Sequence, residues 1–470
     1  MVTNLYTYEG VAQILRTEEK NGRLRENTYS ASSGVLKLSQ EMKTIRNNIK
    51  HTKKDARGEL RLELHLLQEK YRIATEKEFE RIAKEISSRS FQPELGIKTF
   101  EKETYIALDT NTLVVSKIIA KELQHAYRLK PQNRDTIVEQ LRGLLDGSMP
   151  KVVLRADVCE FYESIPRETL LRRIERDGKI SSYSIKFLRS FMYAYNEICP
   201  HSDDEPVGLP RGLAFSAYLS ELYMQQIDAE ISTLPGVYYY KRYVDDVVIV
   251  ANPDFGAPKD YWDKLNQIIN GADLTIHDDS EKAHAALWDK DVASDEFTYL
   301  GYRFKYSKGH LDVLLSKKRD DKYRKLIDAI FEIYEECALG KAWKYNDKRK
   351  EALHQLIARL RVLTGNGLLQ GRKCFVANGV YYTNKFITDT KQLEELDRYL
   401  CDVIDNRFNP PACLYNYKEG GDHATNVQRI KEKLKSFSFV QSFQAPKLIN
   451  SPSYEWELMQ LRHIYLNRRK

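Results

Sequence analysis

The chain has no apolar run long enough to span a bilayer, and its opening residues, Met1-Val-Thr-Asn-Leu-Tyr-Thr-Tyr-Glu-Gly10, lack the basic stretch and apolar core of a secretion signal. A cytoplasmic protein without a membrane partner is therefore expected. Cysteine is scarce: Cys159, Cys199, Cys337, Cys374, Cys401 and Cys413 are widely scattered and form no C-x-x-C pair, which argues against a zinc site and a disulfide scaffold. Proline is absent before Pro93, and no Gly/Ser-rich or Pro-rich linker marks a boundary within the 470 residues. Subdomains should accordingly pack closely. Charge of one sign is also in short supply. With 74 Lys+Arg against 67 Asp+Glu the net charge is +7, a modest basic excess that permits a nucleic-acid partner without requiring one. A chain of this length is too long for one small core, so two or three subdomains around a cleft are expected.

What the chain does have is helix-forming texture at both ends and β-rich texture between. Residues 11–90 are rich in Glu, Lys, Arg, Leu and Ala, and predict helices, with Glu59 to Glu85 reading as one mixed-charge helix. Lys43, Arg46, Lys50, Lys53, Lys54 and Arg57 make a basic run that suits either a nucleic-acid face or a solvated one. From Phe91 to Leu145 short β-like pieces such as Thr104 to Leu108 precede helical patterns at Leu113–His125 and Thr136–Leu145, punctuated by Lys98, Lys102, Lys130 and Arg134. The 30 tyrosines fit strands, and beside basic side chains they also suit stacking on bases. Ser316–Leu339 and Asp347–Thr364 return to helical spacing and open on the basic run Lys317, Lys318, Arg319, Lys322, Arg324 and Lys325. Beyond them, Leu363–Gly367, Asn378–Tyr382 and Leu393–Ile404 read as a further α-rich region, and the chain ends on Asn467-Arg-Arg-Lys470.

The chemistry concentrates where carboxylates interrupt apolar strands. Val237–Tyr243 and Val247–Ala251 are β runs meeting at Asp245-Asp246, where a tight turn should fall. Crowded carboxylates resist ionising together unless a cation neutralises them, which points to a divalent metal with oxygen ligands. Other Asp-Asp pairs, at 203–204, 278–279 and 320–321, sit in polar surroundings and read as solvated loops. A second strand, Val152-Val-Leu-Arg-Ala-Asp157, ends on an acid and turns through Phe161-Tyr162 towards a helix near Pro166. If the two strand systems lie side by side, Asp157 and Asp245 can share one or two magnesium ions. Adjacent strand residues face opposite ways, so Asp246 joins them only if the turn geometry helps; otherwise it supports from beside. Between the acids lies Gly208-Leu-Pro210-Arg211-Gly212, followed by an amphipathic pattern from Leu213 through Ser216 to Ile227.

In this order, Asp157…Phe161-Tyr162, Gly208-Leu-Pro-Arg-Gly212…Ser216 and Tyr243-Val-Asp-Asp246 resemble the palm motifs of reverse transcriptases. Leu274-Thr-Ile-His with Glu281-Lys282, and Tyr299-Leu-Gly-Tyr-Arg-Phe304, are similar to the family's next palm segment and to the hairpin joining palm to thumb. The resemblance implies an α+β right-hand polymerase: a helical N-terminal extension at 1–90, fingers and palm at 91–315, a helical thumb at 316–400 and a C-terminal extension at 401–470. It implies an RNA-directed DNA polymerase, a nucleotidyltransferase acting on dNTPs. Asp157, Asp245 and Asp246 would be the catalytic acids on two Mg2+ ions, with Mn2+ a substitute. Val158, Phe161, Tyr162, Arg211 and Lys282 would lie at the nucleotide, with Tyr162 beneath the sugar excluding a 2′-hydroxyl. Arg134, Gly212, Ser216, Lys317 and Lys318 would contact the RNA template and DNA product. Arg211 departs from the pattern, since glutamine often follows Leu-Pro there. Residues 91–146, with Asn133-Arg134-Asp135, look most like bacterial defence-associated reverse transcriptases. A noncoding RNA template is therefore expected, with a second protein subunit or homo-oligomer left open. The C-terminal part shows no Cys/His-rich nuclease cluster, and no RNase H-like or integrase segment is read in the chain. A retron- or maturase-like enzyme, a template-independent DNA polymerase and a non-enzymatic nucleic-acid scaffold are the competing readings.

Overall fold

The computed structural model describes residues 5–20, 34–53, 57–88, 90–99, 103–199, 208–279, 281–339, 346–370, 375–408, 423–449, 457–459, 461 and 464. Lys54, Lys102, Asp203-Asp204, Cys374, Cys413 and the terminal Asn467–Lys470 lie outside the described residues. The chain divides into two compact units, residues 1–132 with 156–278 and residues 133–155 with 279–470.

The first unit opens on three helices, α1 (Tyr8–Lys20), α2 (Val35–His51) and α3 (Arg57–Ile86), as the proline-free composition predicts. Val35, Met42 and Ile45 turn one face of α2 inward, while Lys43, Arg46, Lys50 and Lys53 are exposed. Arg57 donates to the Thr52 carbonyl. The C-terminal half of α3 buries Phe79, Ile82, Ala83 and Ile86. A hairpin of β1 (Leu95–Thr99) and β2 (Glu103–Ala107) leads to α4 (Thr110–Ala126), which starts where the Asp109 carboxylate accepts from the Thr112 amide. This helix contributes Val114, Val115, Ile118, Ile119 and Leu123 to the core.

The second unit begins with α5 (Arg134–Leu145) and the strand β3 (Lys151–Asp157), whose last two residues pass into the first unit. Lys151 is buried, yet its ammonium donates to the carbonyls of Leu145 and Gly147 at the end of α5 and faces the Tyr306 ring, so the charge is solvated by protein dipoles. In the first unit follow α6 (Phe161–Ser164), α7 (Arg167–Asp177), α8 (Ser182–Ile198) and α9 (Ser216–Ser232). Phe191 of α8 meets Phe215, just before α9, edge-on at 5.0 Å. The antiparallel hairpin of β4 (Val237–Tyr243) and β5 (Asp246–Ala251) comes next. Val247–Ala251 are wholly buried, which is why that run is continuously apolar and does not alternate. Helix α10 (Pro258–Asn270) closes the unit, its Tyr261 hydroxyl donating to the Pro235 and Asn252 carbonyls.

In the second unit β6 (His284–Trp288) runs antiparallel to β3, with Arg155 opposite His284. A meander of β7 (Asp295–Tyr299), β8 (Tyr302–Ser307) and β9 (His310–Leu315) buries alternate aromatics: Phe297 stacks on Phe304 and Tyr306 on Trp288. Helices α11 (Lys317–Leu339) and α12 (Asn346–Thr364) follow as the periodicity predicts. The region read as α-rich beyond them also contains a three-stranded sheet. Strand β10 (Asn366–Gln370) pairs antiparallel with β11 (Phe375–Gly379) and parallel with the short β12 (Leu448–Ile449). The pairing of β10 with β12 joins residues some eighty positions apart, and no local pattern could announce it. Helices α13 (Val380–Asn384), α14 (Lys391–Arg407), α15 (His423–Lys435) and α16 (Phe439–Gln444) complete the unit, and α14 runs unbroken across residue 400. Among the described residues no helix is long and apolar enough to cross a membrane. Of the described cysteines, Cys159, Cys199, Cys337 and Cys401 are unbridged.

Candidate active site

The acids expected to act together meet in the first unit through their backbones. Beyond Asp157 the Val158 amide donates to the Asp245 carbonyl at 3.0 Å, and the Asp157 carbonyl accepts from the His277 amide at 2.9 Å. The Cys159 amide donates to Thr275, and Val158 bridges Ile276. The end of β3 is thus stitched on one side to the acidic turn and on the other to the Leu274–His277 segment. The Asp157 carboxylate is 14 % exposed and lies 3.4 Å from the His277 imidazole.

Tyr243 pairs with Asp246, which leaves Val244 and Asp245 as a two-residue turn. Val244 sits at φ +61°, a left-handed conformation that a β-branched side chain adopts only under constraint. Arg242 supplies that constraint. Its Nη1 donates to the Val244 carbonyl at 2.7 Å and to Glu221 at 3.1 Å, its Nη2 to Glu221 and Asp228 at 2.9 Å each, and its Nε to Asp228 at 2.9 Å, both acids lying on α9. The Tyr240 hydroxyl also donates to Asp228. Burial works to lower the Arg242 pKa, but the bonds and charge of Asp228 and Glu221 outweigh it, and the net shift is upward. The arginine therefore stays charged and ties the acidic turn to the helix. It escaped the sequence reading, although an arginine inside a β run, with acids seven apart on the preceding helix α9, is a legible signal.

The Gly208–Gly212 segment folds against Tyr162. The Tyr162 carbonyl accepts from Leu209, the Ile165 carbonyl from Gly208, and the Arg211 carbonyl from Tyr105 of β2. Gly208 (φ +88°) and Gly212 (φ +103°) both have backbone pressed against them, so a Cβ would strike the Glu163 carbonyl at the first and Thr104 and Tyr105 at the second. The Ser216 hydroxyl donates to the Pro210 carbonyl and locks the turn onto α9. Phe161 is buried and meets Tyr162 edge-on at 5.6 Å. Val158 is also buried. Burial raises the Tyr162 pKa, and a bond with Ser220 and the charge of Arg211 only partly offset it, so the phenol is neutral at physiological pH.

Asp157, Asp245, Asp246, Val158, Phe161, Tyr162, Arg211, Gly212 and Ser216 thus share the first unit, whereas Arg134, Lys282, Lys317 and Lys318 belong to the second. Arg134 spends its guanidinium on the Leu300 carbonyl and the face of Tyr302. Among the described residues no three His, Cys, Asp or Glu side chains form a closed metal cage. The acids at the end of β3 and in the adjoining turn nevertheless offer only hard carboxylate oxygens, a donor set suited to magnesium or manganese and not to a soft metal.

Carboxylates at a strand end, coupled through the backbone to an acidic hairpin turn and followed by an aromatic on a one-turn helix, offer the groups that metal-assisted nucleotidyl transfer uses. Residues 52–304, a little over half of the chain, match the family described as reverse transcriptase (RNA-dependent DNA polymerase), and the protein belongs to that family. The family's activity is RNA-directed DNA synthesis, its fold is the α+β right hand, and its members generally use divalent metals. Similar solved structures include telomerase from Candida albicans with a fragment of telomeric RNA (11 % identity, TM-score 0.34, 81 % of this chain and 67 % of that one). Apo telomerase from Candida tropicalis is similar at 10 % identity and TM-score 0.35, over 80 % of this chain and 65 % of that one. The BmCPV RNA-dependent RNA polymerase at elongation state shares 11 % identity at TM-score 0.29, over 69 % of this chain and 31 % of that one. The chain thus spans from about a third to about two thirds of their lengths, and the family assignment rests on residues 52–304 alone. None of the curated proteins matches the chain.

Proposed function

We propose that the protein synthesises DNA from deoxynucleoside triphosphates on an RNA template at Asp157, Asp245 and Asp246. The observation that carries this reading is the bond from Val158 to the Asp245 carbonyl, which brings two motifs nearly ninety residues apart to one point. Asp157 and Asp245 would hold a pair of magnesium ions, or manganese in their place, with Asp246 beside them. Bound there, the ions supply Lewis-acid activation of the primer 3′-hydroxyl and charge stabilisation at the α-phosphate and departing pyrophosphate. Tyr162 lies under the incoming sugar and leaves no room for a 2′-hydroxyl. Phe161 and Val158 back it, and Lys282 reaches the triphosphate. Gly212 lines the template path with the buried Ser216 holding the turn behind it, and Lys317 and Lys318 lie on template and product, where Arg134 would act by fixing the Leu300–Tyr302 hairpin. In this scheme residues 91–315 are fingers and palm, 316–400 the thumb, and 1–90 and 401–470 the extensions.

Asp157→Ala and Asp245→Ala should each lower primer extension by about a thousand-fold or more, with the melting temperature essentially kept. Either variant extending primer at the wild-type rate removes the assignment.

The biological role we propose is antiphage defence in the bacterial cytoplasm, with a bound noncoding RNA as template. Its support is the resemblance of residues 91–146 to defence-associated enzymes, together with the exposed Lys43, Arg46 and Lys50 on α2 and Lys53 just past its end, which offer phosphate contacts without reading bases. The purified protein should carry one discrete RNA that dissociates steeply with salt. Phage protection in a bacterial host should vanish with Asp245→Ala; protection that persists without catalysis refutes the role.

A further inference from the structure

Tyr162 is gripped in a way that its role beneath the sugar does not by itself require. The Arg211 guanidinium lies over its ring, 5.0 Å from the centroid, while Phe161 meets it edge-on. The guanidinium is itself held: Nε donates to Glu163 Oε1 at 3.2 Å, and one terminal nitrogen to Oε1 at 2.8 Å and Oε2 at 3.0 Å. Glu163 is the residue after Tyr162 on the same helical turn, so α6 supplies both the ring and the carboxylate that presses a cation onto it. The backbone fixes the other end, since the Arg211 carbonyl accepts from Tyr105 at 2.7 Å and the neighbouring Leu209 amide donates to Tyr162 itself.

Arginine is unusual in serving both contacts at once. Its planar fork meets a carboxylate edge-on while its face stacks on an aromatic, which neither lysine nor glutamine can do. A filter that must refuse a single hydroxyl works only if its wall cannot swing aside, because rotation of the ring about its side-chain torsions would open the space that the extra oxygen needs.

We propose that Arg211 is a positioning residue that, held by Glu163, clamps the Tyr162 ring and thereby sets how strongly the enzyme discriminates deoxyribonucleotides from ribonucleotides. The inference rests on the reading of Tyr162 as the residue beneath the sugar. It assigns Arg211 a buttressing part in place of direct contact with nucleotide, and it explains why arginine stands where the family often has glutamine.

The test is single-nucleotide incorporation, with kcat/KM measured for a dNTP and its matching rNTP in the wild type, Arg211→Gln, Glu163→Gln, Tyr162→Ala and the double variant Tyr162→Ala/Arg211→Gln. Melting temperatures check folding, and Glu163→Gln is near-isosteric. Arg211→Gln and Glu163→Gln should each reduce the dNTP:rNTP ratio about three- to ten-fold, the scale of losing one stacked, charge-assisted contact. Tyr162→Ala should reduce it further, and adding Arg211→Gln to that background should leave the ratio where Tyr162→Ala put it, since no ring remains to clamp. If Arg211→Gln slows both nucleotides equally while Tyr162→Ala still changes the ratio, the clamp is overturned and the sugar-facing role of Tyr162 stands. If Tyr162→Ala leaves the ratio unchanged, that role falls and the clamp with it.

Discussion

At the scale of the residue, Arg242 decides how the acidic turn is held. A side chain 3 % exposed that bonds two carboxylates and a carbonyl cannot be removed without leaving those acceptors short of donors. Glu221 and Asp228 keep some contact with solvent, at 20 % and 29 % exposed, which limits the penalty. Arg242→Gln should therefore destabilise the fold by about 2–3 kcal/mol in denaturant titration. It should also weaken divalent-cation binding, measured by calorimetry, because the Val244 carbonyl that fixes the turn loses its donor. Unchanged cation binding in a folded variant would show that the turn holds its shape without the clamp.

At the scale of the element, the β4–β5 hairpin bends through a residue poorly suited to bending. Glycine at 244 would accept φ +61° freely, so Val244→Gly should raise stability by about 1 kcal/mol, read as a higher melting temperature, if strain is stored there. A lower melting temperature would mean that the valine side chain contributes more by packing than its backbone costs. Strands β6 and β7 provide a second case. Asp295 accepts from the Trp288 indole at 2.5 Å and lies 3.2 Å from the His284 imidazole. Burial alone would raise the Asp295 pKa, but His284 and Trp288 outweigh it and hold the value below the usual carboxylate range. A depressed folded pKa stabilises fully above the unfolded value of about 4 and is lost as the pH falls through the folded one. Asp295→Asn should thus cost about 1–2 kcal/mol at neutral pH and flatten the acid limb of the stability curve, as urea titrations between pH 2 and 6 would reveal.

At the scale of the whole molecule, the carboxylate donor set implies a reaction that stops when divalent cations are removed. Chelation should abolish incorporation, magnesium should restore it, and manganese should restore it partly; synthesis that continues in excess chelator would exclude the acids as metal ligands. A wild-type protein so treated should keep its fold, because the backbone bonds from Val158 to Asp245 and from His277 to Asp157 need no ion.

The sequence by itself determined the family, the order of the motifs, the helical N-terminal region and the position of the acidic hairpin. Each of these is a local pattern: apolar runs, their period, and carboxylates or glycines set at points where a strand ends or a turn must close. Gly208 and Gly212 stand in the sequence just ahead of the amphipathic pattern of α9, and the structure supplies the backbones that crowd them. Only the tertiary structure decided that Arg242 spans from the Val244 carbonyl to α9, that Arg211 turns to Tyr162 and Glu163, and that Arg134 caps Leu300. It alone also decided that β12 completes a sheet with β10. The reason is physical: an arginine's six-atom reach and five donors fit many partners, and strand pairing across a long loop leaves no trace in nearby residues, so both are chosen by what folding brings within hydrogen-bond distance.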